Sequence, residues 1–255
     1  MTITHSVIIP HRNRQANLDH CLTTLLPPPR DAEVLVVDSS DAAYEPPPEQ
    51  ADKARIIRLD HPGTGPYNKS RALNAGIRAA LGEVLTFLDA DMLAGPQWYQ
   101  GATETDWRTY HRLCYRVRRL PLGWQPISIH ADFLLYDRYP IAWEAWGRFD
   151  KRRIAPKPLP DPSDKRPEHQ PWGNSQWTTH RRHLNGLLYD EDFAGRGFED
   201  LDLLRRFSAA HPGYRARIET QGLRALLHQP HGYTADWASD AITRQNLAIY
   251  RARRR

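Results

Sequence analysis

Short apolar runs alternate with helix-period segments through the first ninety residues. Residues 6–9, 33–37, 56–59 and 84–88 are runs rich in Val, Ile and Leu, each closed by a breaker or an acid. Between them, residues 17–26 and 70–81 carry apolar side chains at helical spacing, and Gly82 follows the second as a stop signal. The pattern predicts four buried parallel strands with helices between them. That is an α/β fold wound in the Rossmann manner, a mostly parallel sheet flanked by helices, with ligands expected at the carboxyl ends of the strands.

The second half is less regular. Residues 103–150 are rich in Trp, Tyr and Arg without a clean period, and residues 154–171 hold six prolines among charged residues, which excludes a regular element there. That stretch reads either as a lid that orders when a ligand binds or as a disordered insertion. Trp124, Trp143, Trp146 and Trp172 read as either a sugar-stacking wall or ordinary core. Beyond 172 the pattern predicts a helix over 197–207, strands at 215–219 and 223–229, and a terminal helix over 234–254. The Arg251, Arg253, Arg254, Arg255 tail is a solvated end, with peripheral contact to an anionic membrane as the other reading. The expected division is a nucleotide-binding half, 1–102, and a smaller subdomain, 103–255, that binds the acceptor.

Composition narrows the class without naming a function. With 255 residues and 40% hydrophobic content the chain can bury a sizeable core, so a disordered chain is excluded. No stretch approaches the roughly 20 apolar residues of a membrane-spanning helix, and residues 1–10 lack a secretory pattern, so a cytoplasmic location is expected. Cys21 and Cys114 belong to no C-x-x-C pair and read as packing residues. The net charge of +5 suits a nucleic acid, an anionic surface or a phosphorylated small molecule equally.

Three constellations carry chemistry. Leu88-Asp89-Ala90-Asp91 sets two carboxylates at the end of a strand, where a turn can converge both on one cation. Hard oxygen ligands there suit Mg²⁺ or Mn²⁺ holding a diphosphate, although acids after strands also serve as caps and turns. In Gly197-Phe198-Glu199-Asp200-Leu201-Asp202, acids crowd the first turn of a helix beyond what its dipole requires. Helical spacing puts Glu199 and Asp202 on one face and turns Asp200 elsewhere. One of these carboxylates is a candidate general base and another an anchor. His228-Gln229-Pro230-His231 follows an apolar strand, and either imidazole could complete a metal site begun by Asp91 or remain a surface residue.

S-V-I-I-P-H-R-N-R, V-L-V-V-D-S-S-D and K-S-R-A-L-N-A-G-I-R-A-A-L-G-E-V-L-T-F-L-D-A-D resemble, in this order, the nucleotide-sugar half of the inverting family-2 glycosyltransferases of the GT-A fold. The block from Gly173 to Phe207 is similar to the acceptor-side segment of β-1,4-galactosyltransferases, polypeptide N-acetylgalactosaminyltransferases and chondroitin polymerases.

The resemblance implies transfer of a galactose-, N-acetylgalactosamine- or glucose-type sugar from a UDP-sugar, with Mn²⁺ or Mg²⁺, to a carbohydrate, lipid-linked, peptide or small-molecule acceptor. Pro10, His11, Arg12 and Asn13 would line the nucleoside, and Asp38 would take the uracil or ribose edge. Lys69 and Arg71 would approach the donor, or belong to a solvated helix face. Asp91 would ligate the metal, with Asp89 reaching ribose or the metal through water and Ala90 between them. His228 matches the late metal-ligand histidine, with His231 as the fallback. Asp200 would be the catalytic base and Glu199 would bind donor or acceptor hydroxyls. The chain departs from the pattern at Arg196-Gly197-Phe198, where relatives carry a Trp, and at Asn185-Gly186-Leu187-Leu188. A nucleotidyltransferase would show a Gly-rich loop where Pro10-His11-Arg12-Asn13 stands. A nucleic-acid-binding module would leave the E-D-L-D acids unexplained, so no nucleic-acid partner is expected.

Overall fold

Val7 and Ile9 on one side of the first strand, and Ile8 on the other, are all fully buried, as a strand covered by helices on both faces demands. A computed structural model describes residues 2–60, 66–115, 117–119, 175–195, 197–219, 224, 226–229 and 240–253. The elements are β1 (His5–His11), α1 (Gln15–Leu25), β2 (Ala32–Asp38), β3 (Arg55–Arg58), α2 (Lys69–Ala79), β4 (Val84–Phe87), β5 (Met92–Ala94), α3 (Trp98–Thr103) and β6 (Arg112–Tyr115). After these come β7 (Val117–Arg119), β8 (Trp177–His180), α4 (Arg181–Leu184), α5 (Glu199–Ala209), β9 (Ala216–Glu219), β10 (Leu226–His228) and α6 (Asp240–Ala252).

Among the described residues, the main sheet runs β3-β2-β1-β4-β8-β6-β9. The four strands expected from the sequence are present and parallel, joined by α1 and α2. β8 then adds antiparallel to β4, and β6 antiparallel to β8. Alternation along the strands divides the core between the two faces. Val7, Ile9, Val34 and Val36 pack with Leu18, Leu22 and Leu25 of α1 and with Trp98. Ile8, Leu35 and Val37 pack with Leu73 and Ile77 of α2 and with Leu203, Leu204 and Phe207 of α5.

Two glycines in the family-like block permit close approach. A Cβ on Gly76 would lie 2.3 Å from Ile8 Cγ2, so α2 rests directly on β1. Gly82 is not the stop expected from the sequence: α2 ends at Ala79, and a Cβ on Gly82 would meet the His5 backbone at 2.7 Å.

A second sheet, β5-β10-β7, decides where the site lies. β10 runs antiparallel to β5, pairing His228 with Met92, and Gln229 N–H donates to the Asp91 carbonyl at 2.8 Å. Of the later elements expected, 197–207 forms α5, 215–219 shortens to β9 and 223–229 to β10; the terminal helix is described from Asp240. Residues 154–171, the four tryptophans of the expected stacking wall and His231 lie outside the described residues. Cys21 and Cys114 are buried and free. Among the described residues no helix is long and apolar enough to cross a membrane.

Candidate active site

β4 ends with Leu88 N–H donating to the Ile8 carbonyl, after which the chain turns so that Met92 N–H reaches the Asp89 carbonyl at 3.1 Å. This turn sends the two acids to different partners. Asp91 Oδ2 accepts from Arg14 Nη1 at 2.8 Å, and its Oδ1 lies 3.8 Å from His228 Nε2. Asp89 Oδ1 meets Lys69 Nζ at 2.7 Å, and its Oδ2 accepts from Gln176 Nε2 at 2.5 Å. Ala90 packs into the core between them.

Lys69 is the hub of the cluster. It opens α2 behind the cap formed by Asn68, whose side chain accepts from Arg71 N–H, and it is buried. Its ammonium also reaches Asp200 Oδ2 at 3.4 Å and Glu199 Oε1 at 4.0 Å. Burial alone would lower the Lys69 pKa, but Asp200, Asp89 and Glu199 outweigh it and hold the pKa well above the ordinary value. Burial pushes Glu199 up to about 8, with Asp200 adding and Lys69 opposing. It also raises Asp89 to about 6 against the pull of Lys69, with Asp91 and Asp200 adding. Asp200 Oδ1 and Glu199 Oε2 are buried with no hydrogen-bond partner among the described residues.

The acids of α5 divide differently from the helical-face expectation. Phe198, at φ 73°, forms a left-handed turn just before the helix. The turn directs both Glu199 and Asp200 toward Lys69. Asp202 faces away, fully buried against Arg206 at 2.7 Å and Arg205 at 3.3 Å. The first-turn carboxylates of a helix are not fixed by the 3.6 period alone, because the incoming turn sets the angle at which the helix meets its neighbours.

At the β1 and β2 ends, His11 and Asp38 form a buried pair. His11 Nε2 accepts from Arg14 N–H at 3.1 Å, so Nδ1 carries the proton given to Asp38 Oδ1 at 3.0 Å. Asp38 also accepts from Ser40 N–H, Tyr44 N–H and Arg58 Nη1 at 3.0, 2.8 and 2.6 Å. Burial raises the Asp38 pKa, but the bonds from His11, Ser40 and Tyr44 overcome it and hold the carboxyl below its usual range. The sequence reading set Asp38 against the nucleoside. In the structure both its oxygens accept these bonds and it is fully buried. Beside it, Asn13 at φ 53° exchanges bonds with Asp41, and Arg12 pairs with Asp41 at 3.4 Å. Pro10 sits in the β1–β2 ladder opposite Val37. Arg71 points outward to the Asp60 carbonyl, away from the carboxylates.

Several positioning residues escaped the sequence reading. Asn74, inside A-L-N-A-G, donates to the Tyr189 carbonyl and to Glu191 and accepts from Tyr189 N–H, locking α2 to the segment that leads into α5. Asn246 of α6 donates to the Ala194 and Gly197 carbonyls, holding that segment from the other side. Arg253, assigned to the solvated or membrane-facing tail, pairs with Asp190 and with Asp192. Arg14 and Gln176 bind the two acids of the D-A-D turn; both stand inside the quoted blocks, but nothing in their type or spacing singled them out.

The parallel sheet with an antiparallel β8, together with the D-A-D turn at the end of β4, defines a GT-A architecture. Residues 6–106 match the family model described as glycosyl transferase family 2. The chain is similar to validoxylamine A glucosyltransferase of Streptomyces hygroscopicus subsp. limoneus, 30% identical over 254 residues, covering 89% of this chain and 52% of that protein. The counterpart from subsp. jinggangensis matches at the same identity over 56% of its length. The chain thus spans about half the length of the curated relatives it matches. Among solved structures, S. aureus TarS 1–349 in complex with UDP superposes with a TM-score of 0.59 at 15% identity, over 89% of this chain and 61% of that one. Glucosyl-3-phosphoglycerate synthase from Mycobacterium tuberculosis superposes with a TM-score of 0.55 at 18% identity, over 98% and 80%. These structural likenesses establish the fold.

Proposed function

We propose that the chain carries an inverting, metal-dependent glycosyltransferase centre that moves a glucose-type hexosyl group from a UDP-sugar to a hydroxyl of a small-molecule acceptor. The observation that carries this reading is the Lys69 cluster. One buried ammonium joins Asp89, at the turn where a nucleotide-sugar is expected, to Asp200 and Glu199 at the start of α5. The family match and the relatives' name, which couples glucosyl transfer with validoxylamine A, support the reaction class and the sugar.

The donor set fits a divalent cation. Asp91 Oδ1 and His228 Nε2 face each other at 3.8 Å, beyond hydrogen-bonding distance, in a spacing one ion can bridge. A carboxylate with an imidazole suits Mn²⁺, and Mg²⁺ is the alternative. Held by Asp91 and His228, the ion would offset charge on the departing diphosphate. Asp89 stands behind this pair, its oxygens already engaged by Lys69 and Gln176.

Asp200 takes the acceptor proton in this reading. Its Oδ1 is available for that bond, while Oδ2 leans on Lys69. Glu199, raised to about 8, keeps its proton at neutral pH and so donates a hydrogen bond to a sugar hydroxyl. Pro10, His11, Arg12 and Asn13 form the nucleoside side.

A panel of nucleotide sugars with Mn²⁺ tests the donor. Asp200→Asn should lower transfer by about 10²–10⁴-fold and leave UDP affinity in Mn²⁺ within about twofold. Asp91→Ala should weaken metal-dependent UDP binding instead. Full turnover in Asp200→Asn would remove that residue from the mechanism.

A further inference from the structure

His111, His183 and His211 come together from three separate segments at the end of the sheet away from the carboxylates. β8 runs antiparallel to β4, so Gln176, just before β8, reaches the D-A-D turn, and His183, beyond its other end, lies at the opposite edge. α5 begins with Glu199 and Asp200, and His211 follows two residues after its end, about 16 Å along the helix axis. His111 directly precedes β6. The ring centroids are 4.9 Å apart for His111–His183, 4.7 Å for His111–His211 and 5.7 Å for His183–His211. One ligand nitrogen from each ring falls within 4.8 Å of the others, and all three residues are partly exposed.

We propose that His111, His183 and His211 form a second metal site, a three-imidazole cluster for Zn²⁺ or a related divalent transition ion, unconnected with the catalytic cation. Two of the rings are already oriented for this role. His183 Nε2 bonds the Trp107 carbonyl at 2.8 Å, and His211 Nδ1 bonds the Phe207 carbonyl at 2.7 Å. Because a carbonyl only accepts, those nitrogens carry the protons, and the other nitrogen of each ring keeps its lone pair. This is the outer-shell arrangement that fixes the tautomer of metal-binding histidines. His111 is held more loosely, its Nδ1 accepting from Arg215 N–H at 3.3 Å, a contact that a metal replaces.

Burial, reinforced by the neighbouring imidazoles and by Arg182 and Arg215, pushes the His111 pKa below its usual value. Burial also lowers His183, against the Trp107 carbonyl and helped by Arg182 and His211. No carboxylate joins the cluster among the described residues, so the donor set is all nitrogen and selects Zn²⁺, Ni²⁺ or Cu²⁺ over Mg²⁺ or Mn²⁺. The carbonyl end of α5 favours a cation beside it. Around tetrahedral zinc, nitrogens stand roughly 3.3 Å apart, so the rings would close by at most about 1.5 Å on binding, with water as fourth ligand. The ion would then tie the end of α5 to the start of β6 and to α4.

The test uses the full chain without a histidine tag, titrated with Zn²⁺ by calorimetry and with Co²⁺ by visible absorption. The expected result is saturable Zn²⁺ binding and the strong ligand-field bands of a tetrahedral nitrogen site. His183→Gln and His211→Gln should each reduce that affinity at least about tenfold and abolish the bands. Asp91→Asn should leave the bands unchanged, whatever it does to Zn²⁺ bound beside His228. Zn²⁺ should raise the Tm of the parent chain and of neither histidine variant, whose Tm values without metal serve as the folding control. Absence of the bands, or bands that survive in both histidine variants, or bands lost in Asp91→Asn instead, would show an aromatic packing cluster only.

Discussion

Lys69 Nζ stands 3.4 Å from Asp200 Oδ2 although 131 positions separate them in the sequence. The contact joins the first turn of α2 to the first turn of α5, and through Asp89 it extends to the end of β4. Three carboxyl groups surround a single buried ammonium, which offsets the charge of Asp89 and Asp200 there.

Lys69→Met should therefore destabilise the chain by about 3–5 kcal/mol, since removing one partner leaves the others buried and uncompensated. Lys69→Arg keeps the charge and should recover part of the loss. Urea unfolding of the two variants at pH 7 measures the difference. Equal stability of Met and Arg at this position would show that the acids do not need the cation.

Glu199 predicts a falling stability with rising pH. Its folded pKa of about 8 lies above the ordinary 4.5, so the folded chain holds this proton more tightly than the unfolded chain. The resulting stability is complete below about 4.5 and is lost as pH rises to 8, with Asp89, raised to about 6, adding the same sign lower in the window. Glu199→Gln should flatten this slope between pH 6 and 8, as read from Tm against pH.

Asp38 acts in the opposite sense. Its pKa is depressed in the folded chain, so its contribution is present above the ordinary carboxylate range and disappears on acidification. Asp38→Asn turns an NH₂ group toward donors that now meet oxygen, at a cost of about 1–3 kcal/mol for a buried group left unsatisfied. The variant should lose stability at pH 7 and show less acid sensitivity below pH 4 than the parent.

Asn74→Ala removes the amide that ties α2 to the Tyr189 backbone and leaves a buried N–H and carbonyl without it, costing about 1–3 kcal/mol. Because that segment leads into Glu199 and Asp200, the variant should also lower kcat for transfer more than it changes UDP affinity. Limited proteolysis near Tyr189, compared with kinetics, separates this from a global loss of fold.

The apolar runs at 6–9, 33–37 and 84–88 determined the central parallel strands by themselves, because a strand covered on both faces is apolar nearly throughout and such a run is legible without its neighbours. The run at 56–59 also formed a strand, but at the sheet edge, where Arg55 and Arg58 are exposed and Ile56 and Ile57 half-buried instead of buried as expected. The acids of D-A-D and E-D were legible as chemistry for a related reason: carboxylates at element ends are conspicuous against apolar surroundings. The sequence could not determine which acid meets which partner. The left-handed turn at Phe198 aimed Glu199 and Asp200 at Lys69 and left Asp202 to the arginines, against the helical-face expectation. The pairing of β10 with β5 brought His228 to Asp91, and four donors closed around Asp38. Periodicity reports the repeat within one element, whereas these contacts depend on the angles between elements, which only packing of the two faces of the sheet sets.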